Sequence, residues 1–288
     1  MEDDRGVIVE NMSSWDDPEN SNCMSVEKKE KGAFYEDAAQ YWSRIPATVD
    51  GMLGGYGFIS KVDIQGSNLF LKRLFRLKVP PGNARALDCG AGIGRITEHF
   101  LLNHFQKVDL VEQNPAFVNQ ARTSLESHKN MGNFYCAGLQ DFTPEPATYD
   151  VIWCQWVLGH LKDDDLIAFL HGCILGLKDN GIIVIKENTT TSGKLDEDPT
   201  DSSVTRPLEV LNTLIQQAGL RIAKQKRQEN FPRGLYPVYM IATRPSMERS
   251  AYMKNVDSTI TLPTETRIAD EGDLPHNEWS ANSLSECD

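Results

Sequence analysis

Leu87-Asp88-Cys89-Gly90-Ala91-Gly92-Ile93-Gly94-Arg95 is the stretch that decides the fold. An apolar run broken by one carboxylate leads into three glycines at alternate positions and then a basic residue. Such small residues let the backbone turn tightly between a strand and a helix and come close to a ligand. The spacing is G-x-G-x-G, without the lysine of a GxxxxGK[ST] phosphate loop and one residue short of the G-x-G-x-x-G of dinucleotide sites. A glycine run alone is weak, because a tight turn needs no ligand. Its partner is Glu112, directly after the apolar strand Val108-Asp109-Leu110-Val111. An acid about 20 residues past the glycines is placed to accept hydrogen bonds from ribose hydroxyls.

Outward from this turn the pattern alternates. Ala33–Arg44 and Asp63–Arg76 have helical spacing, Ala84–Cys89 is a strand, Arg95–Asn103 a helix and Lys107–Val111 a strand. Asn114-Pro115 gives a helix start with Asn as cap and Pro in the first turn, and that helix runs to about Glu126. Phe134–Cys136 and Asp150–Cys154 read as strands, followed by a helix starting near Asp163. The continuous apolar strand Ile182–Lys186 requires cover on both faces. Leu208–Ala218 reads as a helix, and Arg221–Arg227 and Val238–Thr243 as late strands. Alternating β and α elements imply an α/β fold with a doubly wound, mostly parallel sheet, whose ligands sit at the carboxyl ends of strands. The glycine run, Glu112, Gln140, Gln155 and Asn188 all fall there.

The net charge of -12 suggests a cationic partner, but its distribution undercuts that inference. Residues 1–32 contribute -5 and residues 245–288 contribute -6, which leaves 33–244 near -1. Both ends read as disordered acidic tails around one folded unit, 33–244, with a helical lid at 33–76. A near-neutral unit lacks the basic excess that engages phosphates, so direct nucleic-acid binding is not expected. No apolar run approaches the length of a membrane span, and the acidic start does not look like a signal peptide. Six cysteines without C-x-x-C pairs read as free thiols in a reducing compartment, with no structural zinc.

Further motifs carry a resemblance. The D-x-G-x-G-x-G form resembles motif I of class I methyltransferases, which bind S-adenosylmethionine (SAM). Tyr41-Trp42, the run Thr48–Gly57, Gly138-Leu139-Gln140-Asp141-Phe142-Thr143-Pro144-Glu145, Trp153–His160 and Asp201-Ser202-Ser203 are similar to the protein α-N-terminal methyltransferase family. That family methylates the terminal amine of proteins beginning Xaa-Pro-Lys, after loss of the initiator Met. The similarity covers essentially all of 33–244.

The resemblance implies a seven-stranded class I methyltransferase sheet, SAM as cofactor and no metal, in the cytoplasm or nucleus. It implies that Gly90 and Arg95 hold the methionine part of SAM, Glu112 the ribose, and Gln113 and Asn114 the adenosine. Leu139, Gln140 and Gln155 complete that wall. The substrate side would be lined by Leu53, Gly54, Ile59, Trp156, Asn188, Asp198, Asp201, Ser203 and Tyr236. His160 and Asp201 would jointly deprotonate the amine, and Asp198 with Asp201 would receive the substrate lysine. The 188–201 segment is one residue longer than the family pattern and contains Pro199. Phe58 stands where the pattern has histidine, and Glu112 where it has aspartate.

Blander roles compete at each position. His160 at a helix start can simply bond backbone, Trp42, Trp153 and Trp156 can be core, and Arg95 can cap its helix. Asp163-Asp164-Asp165 reads as a helix N-terminus with favourable charge. Two other functions stay open: a class I methyltransferase of a small-molecule amine, and a docking module without catalysis. The lid and the acidic loop speak against the first, and retention of His160 with Asp201 against the second.

Overall fold

The expected alternation appears in the computed structural model, which describes residues 18–247, with side chains from 31 onward. Most of the two expected tails, 1–17 and 248–288, lies outside the described residues. Strands β1 (Arg85–Cys89), β2 (Lys107–Glu112), β3 (Met131–Cys136), β4 (Tyr149–Gln155) and β5 (Leu177–Thr190) run parallel in the order β3-β2-β1-β4-β5. After two short strands that join only the end of β5, β8 (Leu220–Arg227) and β9 (Val238–Pro245) continue the main sheet antiparallel, with β9 between β5 and β8. The sheet is therefore seven-stranded and mostly parallel. Its order reverses at β1 and β4, which opens a crevice over their carboxyl ends.

Alternation along each strand feeds two cores. Leu87, Cys89, Ile152, Cys154, Ile183 and Ile185 face α6 (Asp163–Gly176) and α7 (Leu208–Gln217). Ala86, Val151, Trp153, Ile182 and Val184 face α3 (Ser60–Leu74), α4 (Arg95–His99) and α5 (Pro115–Leu125). The central strands β1 and β4 and the Ile182–Lys186 part of β5 are buried on both faces, as apolar parallel strands must be. Trp153 is fully buried, edge-on to Phe100, and stays a core aromatic.

Several boundaries differ from the sequence reading. The first helix, α1, spans Pro18–Ser43 and so begins ahead of Ala33, inside the segment expected to be a tail. The helix after the glycine turn breaks at Phe100, whose φ of -133° ends it, and a separate 3-10 turn covers Leu101–Asn103. Asp198 and Ser203, read as loop, belong to a hairpin of β6 (Asp196–Asp198) and β7 (Ser203–Pro207). It hangs from the last residues of β5, where Thr189 pairs Arg206 and Thr190 pairs Pro207. Two of the three aspartates starting α6 are more than favourable charge. Asp163 accepts from Arg206, and Asp165 from Lys31 and Tyr35 of α1. No helix among the described residues is long and apolar enough to cross a membrane.

Candidate active site

Two cavities open over the carboxyl ends of the strands and share a wall of Trp42, Met52, Trp156 and His160. Gly90, Arg95, Glu112, Gln113, Leu139, Gln140 and Gln155 line the first, together with Asp88. Gly90 and Gly92 have φ of +67° and +57°, and a Cβ there would lie 2.3 Å from Val157 and 2.6 Å from Met52. Only glycine leaves this floor open.

Glu112 is buried, and burial pushes its carboxyl above the usual range. Its two oxygens accept from the Gly92 and Asn114 amides at 2.9 and 2.8 Å. One carboxylate thus fixes both the glycine turn and the start of α5, and it borders the cavity where a ribose hydroxyl would donate to it. Asn114 does not line the cavity. Its Oδ1 caps α5 through the Ala116 amide, and its Nδ2 donates to the Trp42 carbonyl at 3.2 Å.

A buried ionic cluster lies behind the same cavity. Asp63 of α3 is fully buried and accepts from Arg95 at 2.7 Å and from Lys186 at 2.5 Å. The Gln155 amide donates to both Asp63 oxygens at 2.9 Å, and its carbonyl oxygen accepts from Trp153. Arg95 therefore does not cap its helix; it ties the lid helix to the glycine turn. Burial lowers the Lys186 amine, and Asp63 counters that effect. One anion faces two cations, and Arg95 borders the cavity. The guanidinium of Arg95 and the open glycine floor both fit SAM, whose amino-acid carboxylate needs a cationic partner. Asp63 and Lys186 escape a reading of the sequence, because an acid on a helix and a lysine ending a strand are ordinary until the fold brings them together.

The second cavity has a volume of about 420 Å³ and is lined by Leu53, Ile59, Trp156, Asn188, Asp201, Ser203 and Tyr236. Tyr56, from the Thr48–Gly57 run, joins them, as do Glu187 and Phe231, which had no sequence signal. Gly54 and Asp198 do not line it. The Asp198 carboxylate accepts from the Thr200 amide, although its charge is felt at Tyr41 and Tyr236. Tyr236 itself donates to Asp196. The predicted pairing of Asp198 with Asp201 in one pocket is thus looser: Asp201 faces the cavity and Asp198 lies at its exposed rim.

Two polar atoms at this site are buried without a partner, the Oδ1 of Asp201 and the indole nitrogen of Trp156. Trp156 also holds a φ of +53°, which few non-glycine residues adopt. Its backbone is gripped on both sides, since its own amide donates to Lys186 and the next two amides donate to Glu187 at 2.8 Å. Glu187 is buried, and desolvation raises its carboxyl to about 7.

His160 lies where β4 hands over to α6. Burial lowers its pKa against the opposing charge of Asp201, so the ring is neutral near pH 7. Its Nε2 receives the Trp42 indole N–H at 3.1 Å, and its Nδ1 faces the Ser202 carbonyl at 3.4 Å. Arg206 clamps the neighbourhood, donating to the carbonyls of Leu158 and Leu161 and to Asp163.

If Glu112 holds the cofactor ribose, Glu112→Ala weakens SAM binding by about 1–3 kcal/mol, the cost of a lost hydrogen bond to a charged group. Titration calorimetry checks this, and unchanged affinity removes Glu112 from the site.

Comparison with known proteins agrees with this geometry. An N-terminal Xaa-Pro-Lys N-methyltransferase 1-A from Xenopus laevis is 52% identical over 225 residues, 77% of this chain and 100% of that protein. An alpha N-terminal protein methyltransferase 1 from Drosophila melanogaster is 52% identical over 216 residues, 74% of this chain and 76% of its own. Among solved structures, a SAM-dependent methyltransferase from Leishmania major superposes with a TM-score of 0.70 at 38% identity, over 73% of this chain and 83% of that one. Residues 30–244 match the family described as AdoMet dependent proline di-methyltransferase, and the chain belongs to that family.

Proposed function

We infer that the chain transfers a methyl group from SAM to the α-amine of protein N-termini beginning Xaa-Pro-Lys. Family membership supports the reaction, and the unpaired Asp201 carboxylate oxygen in the second cavity, whose charge acts on His160 of the shared wall, is the observation that carries the site assignment.

A terminal α-amine has a pKa of about 8, so near neutrality most of it is protonated and carries no free lone pair. Asp201 binds that ammonium through its unpartnered oxygen and takes one proton, breaking an N–H bond and leaving the electron pair on nitrogen. Bound SAM would supply an electrophilic methyl on positively charged sulfur, with the neutral thioether as leaving group when the freed nitrogen lone pair forms the N–C bond. The glycine floor, Glu112 and Arg95 hold it in the first cavity, while Trp156 and Leu53 form an apolar wall for the proline ring in the second. The wall shared by the cavities aligns the amine with the methyl, and positioning of this kind supplies much of the acceleration.

The lysine at substrate position 3 meets the acidic rim of Asp196 and Asp198. Methylation of hexapeptides varied at positions 1 to 3, read by mass spectrometry, tests the assignment. Xaa-Pro-Lys peptides gain methyl groups at the α-amine, and a Lys-to-Gln change raises the apparent KM. Equal methylation of Gln and Lys peptides removes the acidic rim from recognition.

A further inference from the structure

The residue that links the two halves of the site is Trp42, near the end of α1. It lines both cavities. Its carbonyl accepts from Asn114, whose amide bonds Glu112, and its indole N–H donates to His160 Nε2. The two rings meet edge to face, with centroids 5.7 Å apart.

An indole N–H can only donate, so the nitrogen that receives it must present a lone pair. The opposite ring nitrogen faces a carbonyl oxygen, which can only accept, so Nδ1 carries the hydrogen. His160 is thereby held as the neutral Nδ1–H form with its basic lone pair already engaged. Of the two residues expected to share the proton, only Asp201 has a buried acceptor atom without a partner.

We propose that Trp42 is a positioning residue that locks the His160 tautomer, so that Asp201 receives the substrate proton and the imidazole orients the site. This rests on the methyl-transfer reading above. Among the charged and titratable groups of the neighbouring elements, Asp201 in the hairpin turn acts on the ring itself. Arg206 and Glu187 act on the backbone flanking His160, not on the ring itself. The α1 contact is held in place by Lys31 and Tyr35 on Asp165, so the lid that carries Trp42 is anchored beside the turn it controls.

Nitrogen-15 NMR of the full chain with labelled histidine reads the tautomer directly, with His160→Gln identifying the resonance. The wild type shows an unprotonated Nε2 and a protonated Nδ1 at neutral pH. Trp42→Phe, which keeps a ring but removes the N–H, raises the His160 pKa because the freed lone pair can take a proton. It lowers kcat about fivefold, the scale of one hydrogen bond. His160→Gln cannot accept a proton but offers Trp42 a carbonyl oxygen, so its kcat falls far less than that of Asp201→Asn. A protonated Nε2 in the wild type overturns the proposal, and so does a His160→Gln defect as deep as that of Asp201→Asn. Absence of methyl transfer by the wild type to any N-terminal peptide overturns the activity instead, and leaves the NMR result standing.

Discussion

Asp201→Asn lowers kcat about 10²–10⁴-fold, the scale of a lost acid–base group. Asparagine keeps the shape and one acceptor oxygen but cannot hold the proton. SAM affinity stays close to wild type, because Asp201 borders the second cavity and not the first. The sign of the pH dependence follows from the amine. Below its pKa of about 8 the substrate needs a proton acceptor, and above it the amine arrives free. The defect therefore shrinks as pH rises from 7 towards 9, in initial-rate measurements with saturating peptide. A loss that is flat with pH, or one that follows weaker SAM binding, means that Asp201 only positions the substrate.

Asp63→Ala destabilises the fold by about 3–5 kcal/mol, because removing one member of a buried ion pair leaves its partner uncompensated. Here two partners are stranded, Arg95 at 5% and Lys186 at 0% side-chain exposure. For a chain of this size the melting temperature drops by roughly 6–20 °C at neutral pH. Asp63 holds the Lys186 pKa up against burial, so without it that pKa falls further. A group whose folded pKa is depressed below its unfolded value favours the unfolded state at low pH and loses that bias as pH rises. The stability deficit of the variant is therefore smaller at alkaline pH. A melting curve within about 2 °C of wild type contradicts the cluster's role, since burying two unpaired cations is not neutral.

What the sequence revealed and what it hid divide along a physical line. Features set by neighbours in the chain were legible: the glycine turn, the acid after β2, the Asn114 cap and the apolar strands. Most of the site residues that follow strand ends were legible too, because topology alone brings those ends together. Features that depend on a partner far along the chain were not. Asp63 and Lys186 are 123 residues apart, and neither has a local signal. Asn114 was read for the cofactor, but its side chain is consumed by its own helix and by the lid. The exposed Asp196–Asp198 segment has an acidic composition that suits a loop, and it becomes a strand only through pairing with β7. The family resemblance named His160 as a base, and only the atom-level contact with Trp42 shows its lone pair engaged.

The β6–β7 hairpin divides the enzyme in a way that bears on its history. The cofactor grip is built into β1, β2 and the glycine turn, in the middle of the sheet, where any change disturbs the core. Asp201, the proposed proton acceptor, sits instead on an appendage joined to β5 by two paired positions and riveted to the His160 turn by the Arg206 guanidinium. Such an appendage can lengthen at its turn without entering the sheet beneath it. Substrate choice in this scaffold is thus free to drift through the hairpin and lid, while the methyl-donor half stays fixed. The side chain least free to drift with them is Arg206, because from the hairpin its guanidinium holds two carbonyls of the His160 turn and Asp163.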